Sequence, residues 1–178
     1  MSQDLLTLLP EFNLIEDSDL RQRCIKTWEE GMRQGGWSAA NLTRMPFTLL
    51  IPDCPASFVE HTRAVTLTCV RVADVFEQIY GDRNPVNRDC LVAGALIHDV
   101  GKLLEYTTED GKTVKSEFGM KLRHPFSGVA LAAQQGVPAD VLHMIAAHAK
   151  EGDLVQRSRE AIILHHADFT SFETLKGG

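Results

Sequence analysis

The stretch AGALIHDVGKLLEY, Ala93 to Tyr106, ends an almost wholly apolar run on an adjacent His98-Asp99 pair. A buried charge costs several kcal/mol unless it is paired or holds a metal. Helical spacing sorts the seven histidines of the chain. His61 lies on the apolar face that carries Val65. His98 continues the face of Leu91 and Ala95. His124 precedes Pro125, so it is expected just outside a helix N-terminus, free to point into a cleft. His148 lies near the face of Leu142, Ile145 and Ala149. His143 falls on the opposite side and is expected to be exposed. Ala161, His165, Asp168 and Phe172 form one stripe, which puts an imidazole and a carboxylate into an apolar seam. His166 has no assigned role.

Taken singly, each has an ordinary explanation. A lone inward histidine is hydrogen-bonded core, and a lone inward aspartate is a cap or an ion-pair partner. Taken together, five helices or helix ends send ionisable groups inward with no matching set of buried Lys or Arg. One divalent cation, or two, removes that cost. Neutral imidazole nitrogen and carboxylate oxygen are the ligands that borderline metals prefer. His98 and Asp99 differ by about 100° round a helix, so both reach one ion only if the helix ends there. Gly101 fits such an ending.

The elements that must position these residues are mostly helical. Asp17 or Ser18 caps a helix to about Gln34, with Leu20, Cys24, Trp28 and Met32 on one face and Gly35-Gly36 closing it. A loop with Pro46, Pro52 and Pro55 follows. A helix from about Ser57 to Tyr80 carries the stripe His61, Val65, Thr68, Val72, Val75 and Ile79. A third opens near Asn87 and runs through His98-Asp99; it is apolar on every side and is therefore expected to be central. EYTTEDGKTVKSEF, with Asp110-Gly111 as its turn, predicts a short β-hairpin or extended loop that overhangs the cleft. Helices follow from Pro125 to about Gln135, from Pro138 to about Lys150 and from about Ser158 to Phe172. The tail TLKGG is expected to fray.

With 178 residues, 44% hydrophobic and 24% charged, the chain suits one compact domain, residues 1–178, with a core at about 58–172 and a helical N-terminal extension over 1–50. A net charge of −6 argues against nucleic acid or an anionic membrane as a non-specific partner. A small phosphate-containing substrate held by local cations stays open, as does the oligomeric state. The opening residues lack the pattern of a signal peptide, and no apolar run approaches the ~20 residues of a membrane span. Cys24, Cys54, Cys69 and Cys90 form no C-x-x-C and read as reduced thiols of a cytoplasmic protein.

HDVGK in an all-α context, with a histidine one helix earlier and an aspartate near the end, resembles the HD-domain metal-dependent phosphohydrolases. The family pattern H…HD…D, with two further histidines in its dinuclear members, falls on His61, His98-Asp99, His124, His148 and Asp168. The stretches NRDCLVAGALIHDVGKLLEY, RHPFSGVALA and SREAIILHHADF look closest to the HD domains of bacterial 3′→5′ exoribonucleases. The resemblance implies an all-α HD-domain helical bundle with a small β-hairpin insertion. It also implies a hydrolase of phosphomonoesters or phosphodiesters of a nucleotide or related small anion.

On that resemblance His61, His98 and Asp168 hold one ion and His124 and His148 the other, with Asp99 gripping or bridging them and orienting a reactive water. The metal is Mn, Fe, Co, Ni, Zn or Mg, with cellular supply deciding. Lys102 is expected to neutralise a phosphate oxygen, or else to be a surface lysine at a helix C-terminus. Arg123 is a second phosphate contact or a solvated side chain. His165 is expected to orient Asp168. A di-iron oxygenase and a non-catalytic metal-binding signalling module are the alternatives to a hydrolase.

Overall fold

The computed structural model describes residues 2–177. In chain order these form α1 (Ser2–Leu8), α2 (Ser18–Gly35), α3 (Ala39–Leu42), α4 (Phe58–Tyr80), α5 (Arg88–Ile97) and the single turn α6 (Lys102–Glu105). The hairpin β1 (Tyr106–Glu109) and β2 (Lys112–Lys115) follows, then α7 (Glu117–Lys121), α8 (His124–Gln134), α9 (Ala139–Ala147) and α10 (Arg159–Lys176). This is the expected all-α bundle with a small hairpin.

α5 is the axis of the bundle. Asn87 starts it by accepting the Cys90 N–H at 3.0 Å. Every residue from Cys90 to Ile97 is buried, as a helix without a polar face requires. α2, α4, α9 and α10 pack around it. The N-terminal elements belong to this packing. Trp28 of α2 is buried and donates its Nε1–H to the Leu96 carbonyl at 2.9 Å. Trp37 does the same to Leu103 at 2.8 Å.

Local chemistry sets the helix starts. α2 begins where Asp17 accepts the Asp19 and Leu20 N–H groups at 2.9 and 3.1 Å. It ends at Gly36, left-handed at φ +72. α4 opens on a reciprocal capping box. Ser57 N–H donates to the Glu60 carboxylate at 2.8 Å, and Glu60 N–H donates to Ser57 Oγ at 3.2 Å. That cap places His61 in the first turn. The hairpin tip has φ +48 at Asp110 and +78 at Gly111, the two positive values a type I′ turn needs.

Several expectations are corrected. The buried face of α4 is His61, Thr62, Val65, Thr66, Cys69, Val70 and Ala73, while Thr68, Val75 and Ile79 face outward. α9 stops at Ala147, three residues before the expected end, because His148 turns back to cap it. α10 continues through Lys176 to Gly177 at φ +91, so the tail is helical rather than frayed; Gly178 lies outside the described residues. His124 is the first residue of α8, with Arg123 at the cap position. His143 is half-buried and accepts the Ser158 N–H at 3.2 Å, which ties α9 to the start of α10.

Candidate metal centre

Asp99 sits in the turn after α5 with its two carboxylate oxygens facing different pairs of imidazoles. Oδ2 lies 3.6 Å from His61 Nε2 and 3.4 Å from His98 Nε2. Oδ1 lies 3.2 Å from His124 Nε2 and 3.6 Å from His148 Nε2. Asp168 of α10 reaches the first pair, with Oδ1 at 3.1 Å from His61 Nε2 and 3.9 Å from His98 Nε2. Two donor groups result, His61-His98-Asp99 and Asp99-His124-His148, each with its ligand atoms within 4.8 Å of one another. All six sequence-predicted ligands converge, from α4, α8, α10 and the C-terminal turns of α5 and α9.

The backbone sets this convergence. His98 and His148 each follow the last residue of a helix, and each donates Nδ1–H to the carbonyl three residues back, Ala95 and Ile145, both at 2.7 Å. Those carbonyls are among the last of a helix, which lack intrahelical partners. A carbonyl only accepts, so the proton is on Nδ1, and Nε2 presents a lone pair to the centre when the ring is neutral. His124 is held likewise by Glu105, at 2.7 Å from Nδ1, and His61 Nδ1 by Ser171 Oγ at 3.1 Å. Gly101 lets α8 approach the Asp99 turn. A Cβ there would collide with the His124 carbonyl oxygen and Ser127.

The electrostatics suit a cation. Burial holds His61 below the usual imidazole pKa in spite of Asp168, and pushes His124 down to about 4 against the pull of Asp99 and Glu105. Burial opposes charge on His98 too, but Asp99 and Asp168 outweigh it and raise that pKa. For Asp99, burial is overcome by Lys102 and then His98, so it stays ionised. For Asp168, burial is overcome by the close approach of the His61 ring and by the His98 charge, which hold it at about 2. Two ionised carboxylates, Asp99 and Asp168, thus face the imidazole nitrogens. Among the described residues, His61 Nε2 and His98 Nε2 are buried without a hydrogen-bond partner. Unpartnered nitrogens aimed at ionised carboxylates are what a bound cation satisfies, so the donor set fits a divalent ion.

Lys102 is not a surface lysine. It is buried, with Nζ 2.5 Å from Asp99 Oδ2 and donating to the Phe47 carbonyl at 2.7 Å. Asp99 keeps it charged against the cost of burial. Arg123 lies at the cleft mouth, 45% exposed, 3.3 Å from Glu151 and 3.9 Å from Glu105. His165 does not orient Asp168. Its Nδ1–H goes to the His148 carbonyl at 2.6 Å, so it braces the turn that carries a different candidate ligand. Sequence reasoning missed Glu105, which sits in a one-turn helix with no periodicity. It also missed Phe47, whose ring stacks on His61 at 4.1 Å from a proline-rich loop.

The centre forms the floor of a cleft of about 630 Å3. Lys115, Arg123, Lys150 and Lys176 line it together with Glu105 and Glu151, which pair with Arg123. No helix among the described residues is long and apolar enough to cross a membrane.

Residues 58–172 match the HD domain family model. A dihydroneopterin 2′,3′-cyclic phosphate phosphodiesterase of Methanocaldococcus jannaschii is 35% identical over 111 residues, 62% of this chain and 44% of that relative. The chain thus covers less than half the length of the curated relative it matches. No solved structure matches the chain.

Proposed function

The chain belongs to the HD domain family, and on that premise we propose that it is a metal-dependent hydrolase of a phosphodiester or phosphomonoester of a nucleotide-like small anion. The observation that carries this is Asp99, whose two oxygens each face a separate pair of imidazole nitrogens at 3.2 to 3.6 Å at the floor of a cleft of about 630 Å3. The matched relative is named for a cyclic phosphodiester substrate, which supports a small phosphodiester over a polymer. We read residues 1–178 as one domain, since Trp28 and Trp37 bond into the same core that carries the centre.

His61, His98 and Asp168 would hold one ion, His124 and His148 a second, and Asp99 would bridge them. Divalent cations bound there would polarise a phosphoryl oxygen and lower the pKa of water from about 15.7 towards about 7. The chain supplies the rest. The Nδ1–H bonds of His98, His148 and His124 to Ala95, Ile145 and Glu105, and the hydrogen bond between His61 Nδ1 and Ser171 Oγ, fix each ring so that Nε2 faces inward. Lys102, buried and charged, would place a positive group beside a phosphate bound in the cleft it lines. Arg123 offers a second cation at the rim.

Bis(p-nitrophenyl) phosphate with Mn2+ tests this. Nitrophenolate release that requires metal and disappears in Asp99→Asn is the expected result. Metal binding without turnover on any phosphoester would make the chain a binding module. Oxygen consumption with substrate would make it a di-iron oxygenase.

A further inference from the structure

The family match begins at residue 58, yet the cleft is not built from residues 58–172 alone. Phe47, Thr48, Leu49 and Leu50 line it. This strap is anchored. A β-bridge pairs Pro46 with Ser57 at its base. Phe58 N–H donates to the Met45 carbonyl at 2.7 Å, and Phe47 N–H to Ala56 at 3.3 Å. Leu50 N–H donates to Thr48 Oγ at 3.1 Å. The Phe47 carbonyl takes the Lys102 ammonium, as described above.

A well-anchored segment has no folding reason to hold large apolar side chains in water. Leu49 is nonetheless 38% exposed and Leu50 71% exposed, and both lie on the cleft. Phe169 and Phe172 line the same cleft from α10, neither fully buried. Phe172 packs edge-on against Phe47 at 6.3 Å. Aliphatic and aromatic surface from two separate elements therefore borders the Asp99 centre. A volume of about 630 Å3 is a size that takes a whole small molecule, within the roughly 300–1,000 Å3 of ligand sites.

Resting on the phosphoester reading above, we propose that Leu49 and Leu50, with Phe169 and Phe172, form an apolar subsite for the flat organic ring of the substrate. The strap, which lies outside the family match, is then a specificity determinant of this chain. A ring gives the largest contact area for the least entropy lost on binding, and aromatic walls favour offset or edge-on packing against another ring. An alkyl ester lacks both.

Binding of two non-hydrolysable probes, phenylphosphonate and methylphosphonate, to the Mn2+-loaded full chain tests this by calorimetry. The native protein is expected to bind the phenyl probe at least about tenfold tighter, and Leu49→Ser/Leu50→Ser to bring the ratio towards one. Thermal unfolding should show the variant folded, since both side chains are already in contact with water. Equal affinities in the native protein, or a preference unchanged in the variant, would overturn the subsite. Because no turnover is needed, a ring preference in a protein that hydrolyses no phosphoester would sink the hydrolase reading and leave the subsite standing.

Discussion

Glu105 Oε2 accepts two hydrogen bonds from one residue, the His124 backbone N–H at 2.6 Å and its Nδ1–H at 2.7 Å. The buried carboxylate fixes both the start of α8 and the ring direction of a candidate ligand. Partners of this kind are typically worth 10- to 100-fold in metal affinity. Glu105→Gln is therefore expected to weaken one ion of the pair about 10- to 100-fold and leave the other near its native affinity. Metal titration followed by calorimetry would show the two sites separating. Equal weakening of both would contradict a role specific to His124.

Trp28 couples the N-terminal helix to the axis of the bundle. Trp28→Ala removes a fully buried ring and the donor to Leu96. The expected cost is about 3–5 kcal/mol, read from urea unfolding. A loss below about 1 kcal/mol would mean that the N-terminal elements are peripheral to the core.

Burial pushes the Cys24, Cys69 and Cys90 thiols up to about 12. In the native state at pH 8 these three are expected to resist iodoacetamide, with Cys54, which is only half-buried, reacting first. The sign for stability follows. Up to the unfolded value of 9.0 the thiols are protonated in both states. Between there and about 12 the unfolded chain releases protons that the native state keeps, so stability falls as pH rises. The urea midpoint should drop above pH 9, and less steeply in Cys24→Ala.

Gly101 is needed for closeness rather than for backbone freedom. Gly101→Ala drives a methyl into the His124 carbonyl and Ser127 and is expected to cost about 1–3 kcal/mol. Because α8 must back away, it should also lower the affinity of the ion next to His124. Unfolding and metal titration on the same preparation check both.

Much of the centre was legible because its residues obey simple rules. His61 lies on the buried side of a capped helix. His98 and Asp99 end the one stretch apolar on every side, and Gly101 marks its stop. The HD pattern then fixed the set, whereas the narrower likeness to exoribonucleases rests on the quoted stretches alone. What failed was direction and reach. On α4 the spacing drifted from His61 and Val65 to Thr68 and Val75, where the real face continues to Cys69 and Ala73. His165 was placed on the right side of α10, but helical phase does not say which neighbour it meets, and it meets the His148 carbonyl. Glu105 and Phe47 lie in a single helical turn and a proline-rich loop, and only tertiary contact brings them to the site. α10 outran its expected end because nothing before Gly177 breaks it.

The most direct test of the central claim is anomalous diffraction from crystals of the full chain grown with Mn2+. Two peaks are predicted, one among His61, His98, Asp168 and Asp99 Oδ2, the other among His124, His148 and Asp99 Oδ1. Density for a cation elsewhere, with Asp99 ligating nothing, would contradict it.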